Sequence, residues 1–223
     1  MGRGTQQLPR IIIFDLDGTI LDTEPVSLNA WIQAAAEYGL ELSMDQATRF
    51  IGLTNQSVAE LAKREFGEDL PIAQIFQRKR ALTQVEFRAG IPLKKGVREL
   101  LATLQELGIR TCIATSSGKD RSNRFLQSVN LLDQFEFLIS GEEVTHSKPH
   151  PEIFLRCLDH ANVPANPAIV VEDSKNGIIG ARRSGAKTVL IPDLVTVDEE
   201  MAANTDFVFE SLLDLRDYIL TLA

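Results

Sequence analysis

Ile11-Ile12-Ile13-Phe14 is an unbroken apolar run that stops at a polar, glycine-containing turn. A β-rich run of that length with no polar alternation suits a strand buried on both faces, as in a parallel sheet. Four further short runs follow at 111–114, 137–139, 168–171 and 188–191, with 207–209 as a possible sixth. Between them lie amphipathic stretches: 97–107 ending at Gly108, 121–129, 151–161 beginning at Pro151, and 176–184 ending at Gly185. Proline in a first turn and glycine just past an end are helix punctuation. Strands and helices alternating at these lengths predict right-handed crossovers and a doubly wound, parallel α/β sheet with a Rossmann-like core.

One region breaks the alternation. From about residue 25 to residue 90 the pattern yields helices only, at 25–38 (capped by Gly39), 44–50, 56–66 (capped by Gly67) and 71–87. In the last, Ile72, Ile75, Phe76 and Leu82 keep one helical face. An all-helical block inserted straight after the first strand reads as a separate cap domain, residues 23–91, in a core built from 9–22 and 92–223. The linkers fall near Thr23 and near Ile91-Pro92, and they predict a cap that opens and closes over the core. Trp31, in the first cap helix, reads as a core residue.

Composition narrows the function classes. The chain has 223 residues, 44 % hydrophobic and 24 % charged, as in ordinary soluble proteins. The net charge of −8 argues against a general nucleic-acid binder, which needs a basic surface. No apolar run is long enough to span a bilayer, and the polar residues 1–10 read as a short disordered lead-in and not as a signal peptide. Cys112 and Cys157 lie in apolar stretches and read as buried thiols in a reducing compartment. The expectation is a cytoplasmic monomer acting on a small molecule.

In open parallel sheets the ligand site lies beyond the carboxyl ends of the strands. After the first strand comes Asp15-Leu16-Asp17-Gly18-Thr19, and after the second Thr115-Ser116-Ser117-Gly118. Past the third, on a loop, comes Ser147-Lys148-Pro149, and after the fourth Glu172-Asp173-Ser174. Each has a bland alternative: a tight turn, a helix cap, a solvated loop lysine, a helix entry. Their joint placement at successive strand ends favours one crevice holding four carboxylates, hydroxyls and an ammonium. Such carboxylates repel unless a cation sits among them. All-oxygen ligands select a hard ion such as Mg²⁺ over Zn²⁺. With a lysine, hydroxyls and free helix N-terminal N–H groups, the crevice is suited to phosphate.

In order and context, Asp15-Leu16-Asp17-Gly18-Thr19, Thr115-Ser116, Lys148-Pro149 and Glu172-Asp173 resemble the four motifs of the haloacid dehalogenase superfamily. The resemblance runs from about Ile11 to about Pro192. The helical insert is similar to the small cap of the subgroup containing β-phosphoglucomutase and many sugar-phosphate and phosphoglycolate phosphatases. It implies that Asp15 attacks phosphorus and forms an aspartyl-phosphate. Mg²⁺ would be bound by Asp15, the backbone carbonyl of Asp17 and Asp173, with Glu172 either a direct ligand or the group that orients a bound water. Asp17 would protonate the leaving oxygen and then accept a proton from water. Thr115, Ser116 and Lys148 would hold the phosphoryl oxygens.

The resemblance leaves a phosphatase, a mutase, a dehalogenase and a non-catalytic binding protein to be separated. A dehalogenase needs neither the metal nor Asp17, and a non-catalytic relative would usually lack one acidic residue. In the mutase pattern the first cap helix carries a histidine and a later cap loop carries an arginine. Alignment on Asp22-Thr23 and Trp31 places Ser27 at the first position, and alignment on Gly52 places Asn55 at the second. Both departures favour a phosphatase for a small phosphorylated metabolite, with Glu24 and Asn55 as cap contacts to substrate. His146, His150 and His160 are not placed for chemistry.

Overall fold

The structure is a computed structural model that describes residues 7–51, 55–194 and 196–223. The first six residues of the polar lead-in, and Gly52, lie outside them. Six strands form one parallel sheet: β1 (Ile11–Phe14), β2 (Arg110–Thr115), β3 (Leu138–Ser140), β4 (Ala168–Glu172), β5 (Lys187–Leu190) and β6 (Phe207–Val208). Their spatial order is β3-β2-β1-β4-β5-β6. The chain therefore moves outward from β1 in both directions, and the switch point falls at β1 and β4.

Every residue of β1 and β4 is buried, as expected of central strands covered on both faces. Ile11 and Ile13 pack with Cys112, Ala114 and Val170 against Phe154 and Cys157 of α7 (Glu152–Ala161). By the two-residue period of a strand, Ile12 and Phe14 face the other way, where Phe14 meets Phe135 edge-on at 6.2 Å. Both cysteines are buried and free. The third strand lies one residue later than its apolar run suggests. Its register, Ile113 opposite Leu138 and Thr115 opposite Ser140, is set by pairing with β2 rather than by hydrophobicity.

The remaining core helices are α5 (Val97–Glu106), α6 (Lys119–Ser128), α8 (Lys175–Ser184), α9 (Glu199–Ala203) and α10 (Leu212–Leu220). The last two are additional to the elements read from the sequence. Asp198 caps α9 by accepting from Met201 N at 2.8 Å, and α10 buries Leu212, Leu215 and Ile219, a helical stripe.

The chain divides into two compact units, one running up to Leu21 and resuming at Leu93–Ala223, the other Asp22–Pro92. The connections run side by side: Leu21 bridges Leu93, and Asp22 N donates to Pro92 O at 2.9 Å. The second unit holds α1 (Glu24–Glu37), α2 (Met44–Thr48), α3 (Asn55–Phe66) and α4 (Ile72–Ala89). Ser43 and Gln46 form a reciprocal capping box at the start of α2. Trp31 is a core residue here, with Phe50 and Phe76 edge-on at 5.2 and 5.0 Å. Among the described residues no helix is long and apolar enough to cross a membrane.

Candidate active site

Sheet register builds the centre of the site. Phe14 pairs with Val171 on one side and Ile113 on the other, so Asp15 follows beside Glu172 and Ala114. The Asp15 N–H closes the ladder on Val171 O at 3.0 Å. The Lys148 ammonium reaches all three neighbours, donating to Asp15 Oδ1 at 2.5 Å, Glu172 Oε1 at 2.6 Å and Ala114 O at 2.9 Å. Its side chain is only 6 % exposed, so these bonds replace the water it loses. Lys148 precedes Pro149 through a cis peptide bond.

Two glycines make room for the acidic groups. Gly18 has φ +86°, a conformation few other residues adopt, and a Cβ there would overlap the Asp173 carboxylate. Gly177, in the first turn of α8, leaves space for the Glu172 carboxylate in the same way. Thr19, fully buried, donates to Asp173 Oδ1 at 3.2 Å. Glu172 Oε2 accepts from Ser174 Oγ at 2.9 Å and Ser174 N at 3.3 Å, and Ser174 also caps α8. Both oxygens of Glu172 are thus engaged by protein groups.

The electrostatics of this cluster differ from those of a surface. Burial pushes the Asp15 carboxyl up to about 7, with the Glu172 and Asp17 charges adding to the rise and Lys148 opposing it. Asp173 is raised as well, chiefly by burial and then by Glu172, Asp15 and Asp193. Lys148 is held above the ordinary lysine range; burial works against its charge, and Asp15 and Glu172 outweigh it.

Asp17 points to a different partner. Arg121, in the first turn of α6, grips both carboxylate oxygens at 2.9 and 3.0 Å. Ser117 Oγ donates to Asp17 Oδ2 at 2.7 Å and Arg121 donates to that hydroxyl at 2.6 Å. One lysine facing four carboxylates, as the motifs suggest, is therefore incomplete, because Arg121 is a second cation. The reason is local: α6 begins at Lys119, which brings Arg121 back over Ser117 one turn away. Thr115 is buried and its hydroxyl accepts from Ser117 N at 3.1 Å, while Ser116 is exposed beside it.

Asp193 was likewise not singled out by any motif. Its Oδ1 accepts from Lys94 at 2.7 Å, and its Oδ2 is buried without a hydrogen-bond partner. Lys94 and Asp193 are 99 residues apart, so no local pattern announces the pair.

Glu24 and Asn55 lie in the helical unit. Together with Ser27, Trp31 and Lys79 they line a hollow of about 160 Å³. Lys79 sits 5.5 Å from the Trp31 ring.

Asp15, Glu172 and Asp173 each offer a carboxylate oxygen, and these oxygens lie within 4.8 Å of one another. Raised carboxyls, an orphaned carboxylate oxygen on Asp193 and a ligand set made only of oxygen fit a hard divalent cation.

The family model for haloacid dehalogenase-like hydrolases matches residues 12–191. The chain belongs to that family. It is 29 % identical to hexitol phosphatase B of Escherichia coli, over 91 % of this chain and 92 % of that protein. Against a phosphorylated carbohydrates phosphatase of Thermotoga maritima the identity is 28 %, over 80 % and 82 % of the two chains. Among solved structures, CbbY of Rhodobacter sphaeroides in complex with phosphate superposes with a TM-score of 0.76 at 26 % identity, covering 93 % of this chain and 96 % of that one.

Proposed function

We propose that the protein hydrolyses a small phosphorylated sugar or similar phosphomonoester through an aspartyl-phosphate on Asp15, with Mg²⁺ as its metal. It is a phosphoric monoester hydrolase of the haloacid dehalogenase-like family. The observation that carries the reading is the buried Asp15 carboxylate at the end of β1, held by Lys148 beside Glu172 and Asp173. Relatives acting on hexitol phosphates and phosphorylated carbohydrates support the substrate class.

In this reading an Asp15 oxygen attacks phosphorus in line while the bond to the ester oxygen breaks. Asp17 gives a proton to that oxygen, then takes one from the water that attacks the phosphorus and returns Asp15 to a carboxylate. Arg121 and Ser117 hold Asp17 in place. Lys148 favours the ionised form of Asp15 against its burial and offsets charge on the phosphoryl oxygens, and Thr115 and Ser116 hold those oxygens. Asp15, Asp173 and the backbone carbonyl of Asp17 would bind Mg²⁺, which supplies positive charge against the phosphoryl group. Glu172, whose two oxygens already have protein partners, would act from behind as the group that orients a bound water.

Residues 22–92 are assigned the role of a cap, with Glu24 and Asn55 selecting the substrate. Ser27 and Asn55 are uncharged, which favours a phosphatase over a mutase that must hold a second phosphate. The test is p-nitrophenyl phosphate turnover with and without Mg²⁺ in wild type and Asp15→Asn, followed by hexitol and hexose phosphates. Metal-dependent turnover that vanishes in the variant is expected. Absence of metal-dependent hydrolysis of every phosphomonoester tried would overturn the reading.

A further inference from the structure

Two of the chain's three histidines, His146 and His150, flank Lys148 at equal distances along the loop. Their rings lie 4.6 Å apart and tilted by 34°. Glu152, at the start of α7, joins them. Its Oε2 is 3.2 Å from His146 Nδ1, and its backbone N–H donates to His150 Nδ1 at 3.3 Å. One ligand atom from each of the three residues falls within 4.8 Å of the other two.

The carboxylate is anchored before any ion arrives. Thr145 N donates to Oε1 and His146 N to Oε2, both at 2.9 Å, and Arg156 donates to Oε1 at 3.1 Å. The two backbone N–H groups lead in holding the Glu152 carboxyl down at about 2. The Arg156 charge is on Oε1, whereas the His146 imidazole meets Oε2. Nitrogen and oxygen ligands around a tetrahedral zinc ion stand about 3.4 Å apart. The His146–Glu152 pair already has nearly that spacing, and a ligand atom of the exposed His150 lies within 4.8 Å of both.

We propose that His146, His150 and Glu152 form a second metal site, for a nitrogen-preferring divalent transition ion of the zinc class, on the loop that carries Lys148. Its donor set of two imidazoles and one carboxylate contrasts with the all-oxygen set at Asp15 and does not select Mg²⁺. Three protein ligands leave a position for water. An ion bridging residues 146 and 150 would close the loop around Lys148 and stabilise the native chain by mass action. The inference does not depend on the chemistry assigned to Asp15.

The experiment uses the full chain, freed of metal by a chelator and then held in saturating Mg²⁺ to fill the acidic site. Zinc uptake is read by competition with a chromophoric zinc indicator, and the zinc-induced rise in melting temperature is read in parallel. Wild type is expected to take one zinc ion per chain and to gain thermal stability. His146→Ala and His150→Ala should bind it about 10- to 100-fold more weakly and lose the gain. Both variants should keep the wild-type melting temperature without zinc and the wild-type Mg²⁺-dependent turnover. No zinc uptake in the presence of Mg²⁺, or undiminished uptake in His146→Ala and His150→Ala, would overturn the proposal.

Discussion

At the centre of the α/β unit, charges are buried and meet at short range. Lys148 donates to Asp15 at 2.5 Å and to Glu172 at 2.6 Å, with almost no solvent access. In the helical unit the charges lie outside. Arg78 pairs with Glu37 and Arg49 with Asp45 and Glu65 on the surface, while Trp31, Phe50, Val58 and Ile75 fill the interior. The first unit concentrates electrostatic strain at one cluster, and the second gains its stability from apolar packing. A substitution should therefore show its main effect on turnover in one unit and on stability in the other.

The largest expected effect is on turnover. Asp15→Asn keeps the shape of the side chain but removes the attacking charge, and steady-state hydrolysis should fall by about 10⁴-fold or more. Because burial makes the Asp15 charge costly, the melting temperature of the metal-free variant should not fall. The converse change is Trp31→Ala, which removes a buried ring from the helical interior. It should cost about 3–5 kcal/mol, read by chemical denaturation, with hydrogen exchange showing the loss concentrated in residues 22–92. An equal loss of protection in β1 and β4 would erase the distinction between the units.

A smaller effect is expected at Arg121. Arg121→Ala frees the Asp17 carboxylate, to which the proposed mechanism assigns the leaving-group proton. Hydrolysis of an alkyl phosphate should drop about tenfold, while p-nitrophenyl phosphate, whose leaving group needs little protonation, should be nearly unaffected. Equal losses on both substrates would mean that Arg121 binds phosphate instead of positioning Asp17.

The smallest effect is one of pH. Asp15 is raised from 3.8 to about 7, so between those values the native chain holds a proton that the unfolded chain has released. Its contribution is thus lost as pH rises through the native value. The metal-free chain should become less stable from about pH 4 to about pH 7 on this account, and the raised Asp173 acts in the same direction. Mg²⁺ should raise the melting temperature more at pH 7.5 than at pH 5, a trend that Asp15→Asn should reduce.

Asp15, Lys148 and the Glu172-Asp173 pair were legible because strand ends in a parallel sheet converge, and the apolar runs mark where those ends lie. Arg121 was not, because an arginine on an amphipathic helix is ordinarily a solvated residue. Its role depends on α6 starting two residues earlier than the apolar pattern does. Asp193 was hidden for another reason: its partner Lys94 is remote in sequence, and burial of its free oxygen follows from tertiary packing. Helix α10 carried a readable signal in Leu212, Leu215 and Ile219, but it lies beyond the motif-bearing segment. The exposed His146–His150 pair did not read as placed for chemistry, because sequence spacing alone does not bring Glu152 to it.

The most direct test of the central claim is to trap the enzyme with borohydride during turnover of p-nitrophenyl phosphate in Mg²⁺ and to read the peptide containing residue 15 by mass spectrometry. An acyl phosphate on Asp15 would be reduced to homoserine, and the account predicts that conversion in wild type under turnover and not without substrate. Steady phosphate release with residue 15 recovered unchanged, or with the conversion found at Asp17 or Asp173, would contradict it.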